Sequence, residues 1–278
     1  MIIDTHIHLY DPTRPQGVPW PDPNNKLLYR SVLPEHIKAV AMPECVTGAV
    51  VVEASLWPED NQWVLDLADN EPFLVGLIGR IEPNTDYFID HLDRFAAHPK
   101  FRGVRFWGSN FEDIDQGSFM HDMEALAERN LLLDLVFPKA DADGLFALME
   151  RLPDLRIMIE HIAQVPVDGN SPDTQWTEYM LRAAAHPQVS MKVSALMENS
   201  TVQPAPADVA FYTPTLDVLW NAFGIDRLVY GSNWPVCERA GSYARCIDIV
   251  RTYFSDKGEA ATEQYFWRNA KSIYRWQE

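Results

Sequence analysis

The feature that most limits what this chain can fold into is a series of eight short apolar runs, set along its whole length with helix-sized stretches between them. They are Met1–His8, Gly48–Ala54, Phe73–Ile81, Phe101–Trp107, Asn130–Phe137, Leu155–Ala163, Val189–Leu196 and Arg227–Trp234. Several are continuously apolar, as in Ala49-Val50-Val51-Val52 and Leu131-Leu132-Leu133. Strands covered on both faces read this way, whereas a strand with one wet face alternates. The intervening segments Glu59–Asn70, Gly117–Arg129, Asp141–Arg151, Asp173–Ala185 and Ser242–Phe254 carry apolar residues at helical spacing. Pro34-Glu35-His36 reads as a helix start, and Pro99 and Pro187 each follow a histidine at a helix end. Eight strands alternating with helices predict an α/β protein, a (β/α)8 TIM barrel forming a single domain over residues 1–278. A doubly wound open sheet is the alternative. It would bring a glycine-rich phosphate loop, and no GxGxxG or P-loop is present.

Composition narrows the partners. The chain has 278 residues, 47% of them hydrophobic, with 23 Lys+Arg against 40 Asp+Glu and a net charge of -17. Such acidity repels nucleic acid and anionic membranes, so neither is expected as a partner. The three cysteines form no CxxC, so neither a disulfide framework nor a structural zinc knot is expected. The first residues lack the basic and apolar regions of a signal peptide, and no apolar stretch is long enough to span a bilayer. The expectation is a soluble, cytoplasmic protein, with a homo-oligomer left open.

Two irregular inserts follow strand ends: Leu9–Leu33 with five prolines, and Leu196–Tyr212 with Pro204 and Pro206. Barrel active sites are built at the strand C-terminal ends, and long loops there read as lids.

The sharpest chemical signal is Asp4-Thr5-His6-Ile7-His8. Strand period puts His6 and His8 on one face, inward if Ile7 packs against a helix. Two imidazoles aimed into a barrel are costly for a core unless they are hydrogen-bonded there or used. Other strand ends carry polar residues inside apolar runs: Glu53, Arg80, Arg105 beside Trp107, Asp134, the pair Glu160-His161, and Lys192. One such residue reads as a structural ion pair, but several on different strands read as a polar pocket. Trp57, Trp107 and Trp234 are candidates to wall it or to fill core. His36, His91, His98, His121 and His186 lie in helical or helix-end segments and read as surface or capping groups. Cys237 has no His–Cys motif around it, so a cysteine nucleophile is not expected.

The opening Ile3-Asp4-Thr5-His6-Ile7-His8 resembles the first-strand HxH of the amidohydrolase superfamily. Tyr230-Gly231-Ser232-Asn233-Trp234-Pro235 resembles the eighth-strand GSDWP of its amidohydrolase-related branch, which holds sugar-acid lactonases, pyrone-dicarboxylate lactonase and metal-dependent decarboxylases. The two motifs stand at opposite ends of the chain, so the resemblance covers all of it. It implies a hydrolase that opens a small sugar-acid lactone by water attack on the ester carbonyl. His6, His8, His161, Asp134 and Asn233 would be catalytic, and Glu53, Arg80, Arg105, Trp107 and Lys192 would bind substrate. His6, His8 and His161 would hold at most one divalent, zinc-like metal, and a metal-free mechanism is the alternative. Asn233 departs from the pattern: an aspartate is usual there, and an amide cannot act as a base near neutral pH. Lys192 on strand seven does not fit a bridging lysine, so a two-metal centre is not implied. A decarboxylase or lyase on the same scaffold, and a ligand-binding barrel without turnover, are the rival readings. The first lacks a strand-five histidine and the strand-eight aspartate.

Overall fold

The computed structural model describes residues 1–137 and 142–275. Eight parallel strands run in the order β1 to β8: Ile3–Ile7, Gly48–Val52, Leu74–Gly79, Phe101–Phe106, Leu132–Leu135, Arg156–Ile159, Val189–Val193 and Leu228–Tyr230. Each lies inside one of the apolar runs. The ring closes where Ile7 bridges to Trp234, with Asn233 N donating to His6 O at 2.9 Å and His8 N to Trp234 O at 2.8 Å. The fold is a (β/α)8 barrel, and no described helix is long and apolar enough to cross a membrane.

The outer ring consists of α1 (Pro34–Ala41), α2 (Pro58–Asn70), α3 (Phe88–Ala96), α4 (Phe119–Glu128), α5 (Asp143–Arg151), α6 (Thr174–Ala184), α7 (Thr213–Phe223) and α8 (Tyr243–Asp256). Helical period did not single out α3 or α7. Asp141, the expected start of α5, lies outside the described residues. The starts have local causes. Proline opens α1 and α2, where a missing N–H costs nothing. Asp173 caps α6 by accepting from Trp176 N at 2.9 Å, and Ser242 caps α8 from Arg245 N at 3.2 Å. His36 sits in the first turn of α1 and accepts from Leu33 N at 3.0 Å.

Burial divides into two layers. The large cluster lies between sheet and helices and includes Ile7, Val51, Leu133, Ile159 and Met191. The smaller fills the barrel interior with Ile3, Val50, Val52, Ile78, Leu132, Met158 and Val229. A terminal helical segment carries Ala270 and Tyr274 into that inner layer. Gly103 on β4 allows β5 to close in, because a Cβ there would stand 2.0 Å from Leu132 O.

Candidate active site

Above the inner apolar layer the strands turn polar, and the side chains singled out in sequence meet. The register of β1 shifts between Asp4 and Ile7. Ile7 goes to the outer cluster, while His6 and His8 bring their Nε2 atoms within 3.3 Å of each other. Gly231 on the adjacent strand end leaves the room: a Cβ there would lie 2.9 Å from His6 Cβ and 3.2 Å from both Lys192 and Ser194.

Partners fix two of the three tautomers. His8 Nδ1 lies 3.0 Å from Val52 O and 3.1 Å from Glu53 O, so it must carry the proton and Nε2 is bare. Arg105 Nη2 stands 3.4 Å from His161 Nε2. A guanidinium only donates, so that nitrogen is also bare, and His161 Nδ1 donates to Ser194 Oγ at 2.9 Å. His6 is not forced. Its Nδ1 lies between Glu160 Oε1 at 3.2 Å and Lys192 Nζ at 3.4 Å. The close Nε2 contact with His8 is therefore held either by a proton on His6 or by a cation. Burial, with Arg105 behind it, lowers the His8 pKa to about 4, and burial lowers His161 to about 3 against the pull of Glu160. Burial also holds His6 well below its ordinary value. Neutral imidazoles with free lone pairs are what a divalent ion requires.

Glu160 is the hub that sequence reading left without a role. Its Oε2 takes Arg105 Nε at 2.8 Å and Nη2 at 2.7 Å, and its Oε1 faces His6 and, at 3.6 Å, Lys192. Burial would raise its pKa, but Arg105, His6 and Lys192 together hold it well below the usual carboxylate range. Its adjacency to His161 at a strand end was the available signal. Arg105 also reaches Glu53 Oε1 at 3.3 Å and lies under Trp107, 4.8 Å from the ring centroid. Trp107 is 42% exposed and forms part of the rim.

Three expected site residues are tied up in pairs with neighbouring groups. Lys192 is wholly buried beneath His6 with Nζ on Asp134 at 2.6 Å. Asp134 is wholly buried with it and has one oxygen committed to that bond. Arg80 spends its guanidinium on Glu82 at 2.5 Å and on the Arg105 carbonyl at 3.0 Å, which makes it a support for Arg105. His36, His91, His98, His121 and His186 stay in or beside the helices; His98 pairs with Asp69 at 3.0 Å. Cys237 is buried, which pushes its thiol well above the ordinary range.

The backbone at His161 is strained. His161, Ile162, Ala163 and Gln164 have φ of 56°, 50°, 50° and 56°, a left-handed turn without glycine. Each such residue costs about 1–2 kcal/mol. Trp176 Nε1 holds the turn through Ile162 O at 3.1 Å. Over the histidines lies the first insert, pinned by the Tyr10–Val32 bridge, with Trp20 5.7 Å from His8 between ring centroids.

The donor set suits a metal ion. His6, Glu160 and His161 bring ligand atoms within 4.8 Å of one another, and the buried Glu160 Oε1 faces His6 Nδ1 at 3.2 Å. Arg105 and Lys192 face three carboxyl groups, Glu53, Asp134 and Glu160, and burial raises Asp134 to about 8.

Comparison with known proteins places this site in a lineage. An L-fucono-1,5-lactonase of Burkholderia ambifaria is 29% identical over 245 residues, 87% of this chain and 82% of that protein. Two crystal structures of an amidohydrolase from Burkholderia multivorans share the fold over the full length of both chains. One, with bound HEPES, has a TM-score of 0.88 at 20% identity; the other, with bound zinc, has 0.86 at 21%. The amidohydrolase family model matches residues 3–276. The chain belongs to the amidohydrolase family.

Proposed function

We propose that this protein is a lactonase that opens the ring ester of a sugar-acid lactone, with L-fucono-1,5-lactone as the nearest test substrate. The observation that carries the hydrolytic reading is the convergence of His6, His8, His161 and Arg105 at one end of the barrel. The likeness to an L-fucono-1,5-lactonase supplies the substrate class.

His6 and His8, with Glu160 beside them, would hold one divalent cation; His161, expected as a ligand and grouped with His6 and Glu160 by distance, is assigned to the proton instead. When bound, such an ion polarises an ester carbonyl and acidifies water. The protein's own groups do the rest. Attack on the carbonyl requires an acceptor for the water proton, donors for the developing oxyanion and a proton for the leaving ring oxygen. His161 is the acceptor. Its Nε2 is unprotonated and its ring is held by Ser194, so it is placed to take the water proton and pass it on to the ring oxygen. Arg105, held by Glu160 and Glu53, offers its remaining N–H to the oxyanion. Glu53 accepts from sugar hydroxyls, and the exposed face of Trp107 lies against the apolar face of the ring. Lys192, Asp134 and Arg80 position His6 and Arg105 from below.

The test is a panel of aldonolactones followed by acid release with a pH indicator. Turnover of L-fucono-1,5-lactone that is lost in His8→Asn is expected. Release of carbon dioxide from a carboxylated substrate would support a lyase instead. A melting shift with sugar acids but no turnover would support a binding barrel.

A further inference from the structure

One buried carboxyl near the site has no part in the chemistry described so far. Glu198 lies in the insert after β7. Its Oε1 accepts from Asn233 Nδ2 at 2.8 Å, and its Oε2 is buried without a hydrogen-bond partner. The carboxylates around the histidines are matched with cations: Glu53 and Glu160 with Arg105, Asp134 with Lys192. Glu198 makes no such ion pair among the described residues: its Oε1 takes the Asn233 amide, and Arg239 acts on it by charge alone.

The two ends of an asparagine amide are opposite in character. A carboxylate only accepts, so it can face only the NH2 end. The Asn233 backbone is already set, with φ of 60° and its N–H on His6 O at 2.9 Å. Asparagine tolerates that left-handed conformation better than most residues. What remains free is the turn of the amide, and Glu198 removes that freedom. The Asn233 side chain also interacts with His8.

We propose that Glu198 is a positioning residue of this site: it takes the NH2 end of the Asn233 amide and so leaves the carbonyl oxygen for the reacting centre, and the two side chains act as one acid–amide pair between the ends of β7 and β8. This rests on the reading of the His6–His8 centre as the reacting centre. Burial, against the hydrogen bond from Asn233 and the charge of Arg239, raises the Glu198 carboxyl to about 7. The pair has a polarity that can be reversed. Asn233→Asp alone sets two carboxylates against each other, and they cannot both ionise. Adding Glu198→Gln restores a donor and an acceptor, with the charge moved one residue closer to the histidines.

The experiment is a double-mutant cycle on the full chain: wild type, Glu198→Gln, Asn233→Asp and the double variant, with Glu198→Leu alongside. Three quantities are read: Zn²⁺ affinity of the metal-free protein, kcat and KM on L-fucono-1,5-lactone, and melting temperature at pH 8. Glu198→Leu is expected to lose about tenfold in both zinc affinity and kcat, with little change in KM. Asn233→Asp is expected to melt several degrees lower at pH 8, and the double variant to recover most of that loss and at least tenfold in zinc affinity. Additive effects in the melting cycle would overturn the pair. Wild-type zinc affinity and kcat in Glu198→Leu would overturn its positioning role. Failure of the lactonase reading shows separately, as a wild type that turns over no lactone, and the melting cycle still decides the pair.

Discussion

At the scale of single residues, the site works by giving each imidazole a different environment. His8 is tied to two backbone carbonyls, His161 to a serine, and His6 lies between a carboxylate and an ammonium. Their roles should therefore separate on mutation. His8→Asn is expected to lose stoichiometric zinc together with about two orders of magnitude in turnover, the scale of a lost polarising group. His161→Asn is expected to lose comparable turnover while keeping its zinc. Elemental analysis beside steady-state kinetics reads both, and a zinc-free His161→Asn would move that residue into the ligand set. Arg105 and Glu160 are linked as closely. Both are buried, and the loss of either would leave the other's charge without its partner.

At the scale of elements, the strands act as rulers. β4 and β5 pair Arg105 with Asp134 in register, and the approach of the two strands depends on Gly103. Gly103→Ala would drive a Cβ into the Leu132 carbonyl. Backbone cannot yield there as a flexible side chain would, so a cost at the upper end of overpacking, about 3 kcal/mol, is expected. Urea unfolding should show a lower midpoint with an unchanged slope. Turnover should fall further than the stability change alone would cause, because Arg105 moves with the strand. The left-handed turn after β6 is the opposite case. Its strain is local, and it turns the chain directly after Glu160 at the point where His161 meets Ser194.

At the scale of the whole molecule, buried groups of opposite tendency set the pH range of the metal-free protein. His8 and His161 titrate near 4 and 3 in the fold, below their ordinary 6.5. The unfolded chain takes up those protons first. The stability these residues contribute is complete above pH 6.5 and lost as pH falls toward 4. Glu198 is shifted the other way, from 4.5 to about 7. Its contribution is complete below pH 4.5 and lost as pH rises through 7. Metal-free protein is therefore expected to be most stable near pH 6–7. Asp134, raised to about 8, adds to the alkaline loss, so Glu198→Gln should lessen that loss without removing it, and His161→Asn should lessen the acid one. Melting temperatures across pH 4–9 in a chelating buffer check this, and a Glu198→Gln curve that matches wild type above pH 7 would contradict it.

The barrel and its strand ends were legible from order along the chain, because strand period and two-faced burial are local properties. Ala49-Val50-Val51-Val52 must be covered on both faces wherever it goes, and His6 and His8 must share a face if that segment is extended. Which charges meet was not legible, because that depends on register and on the closing of the ring. Arg105 and Glu160 lie 55 residues apart, and Lys192 and His6 lie 186 apart. An acid inside an apolar run looks the same whether it meets a lysine beneath the site or an arginine beside it. Glu160 passed without a role for this reason, and Glu198 because it stands in an irregular insert, outside the apolar runs. The sequence settled that polar groups would gather at the strand ends. Only the closed barrel decided which of them are neutralised by a partner and which are left facing the histidines.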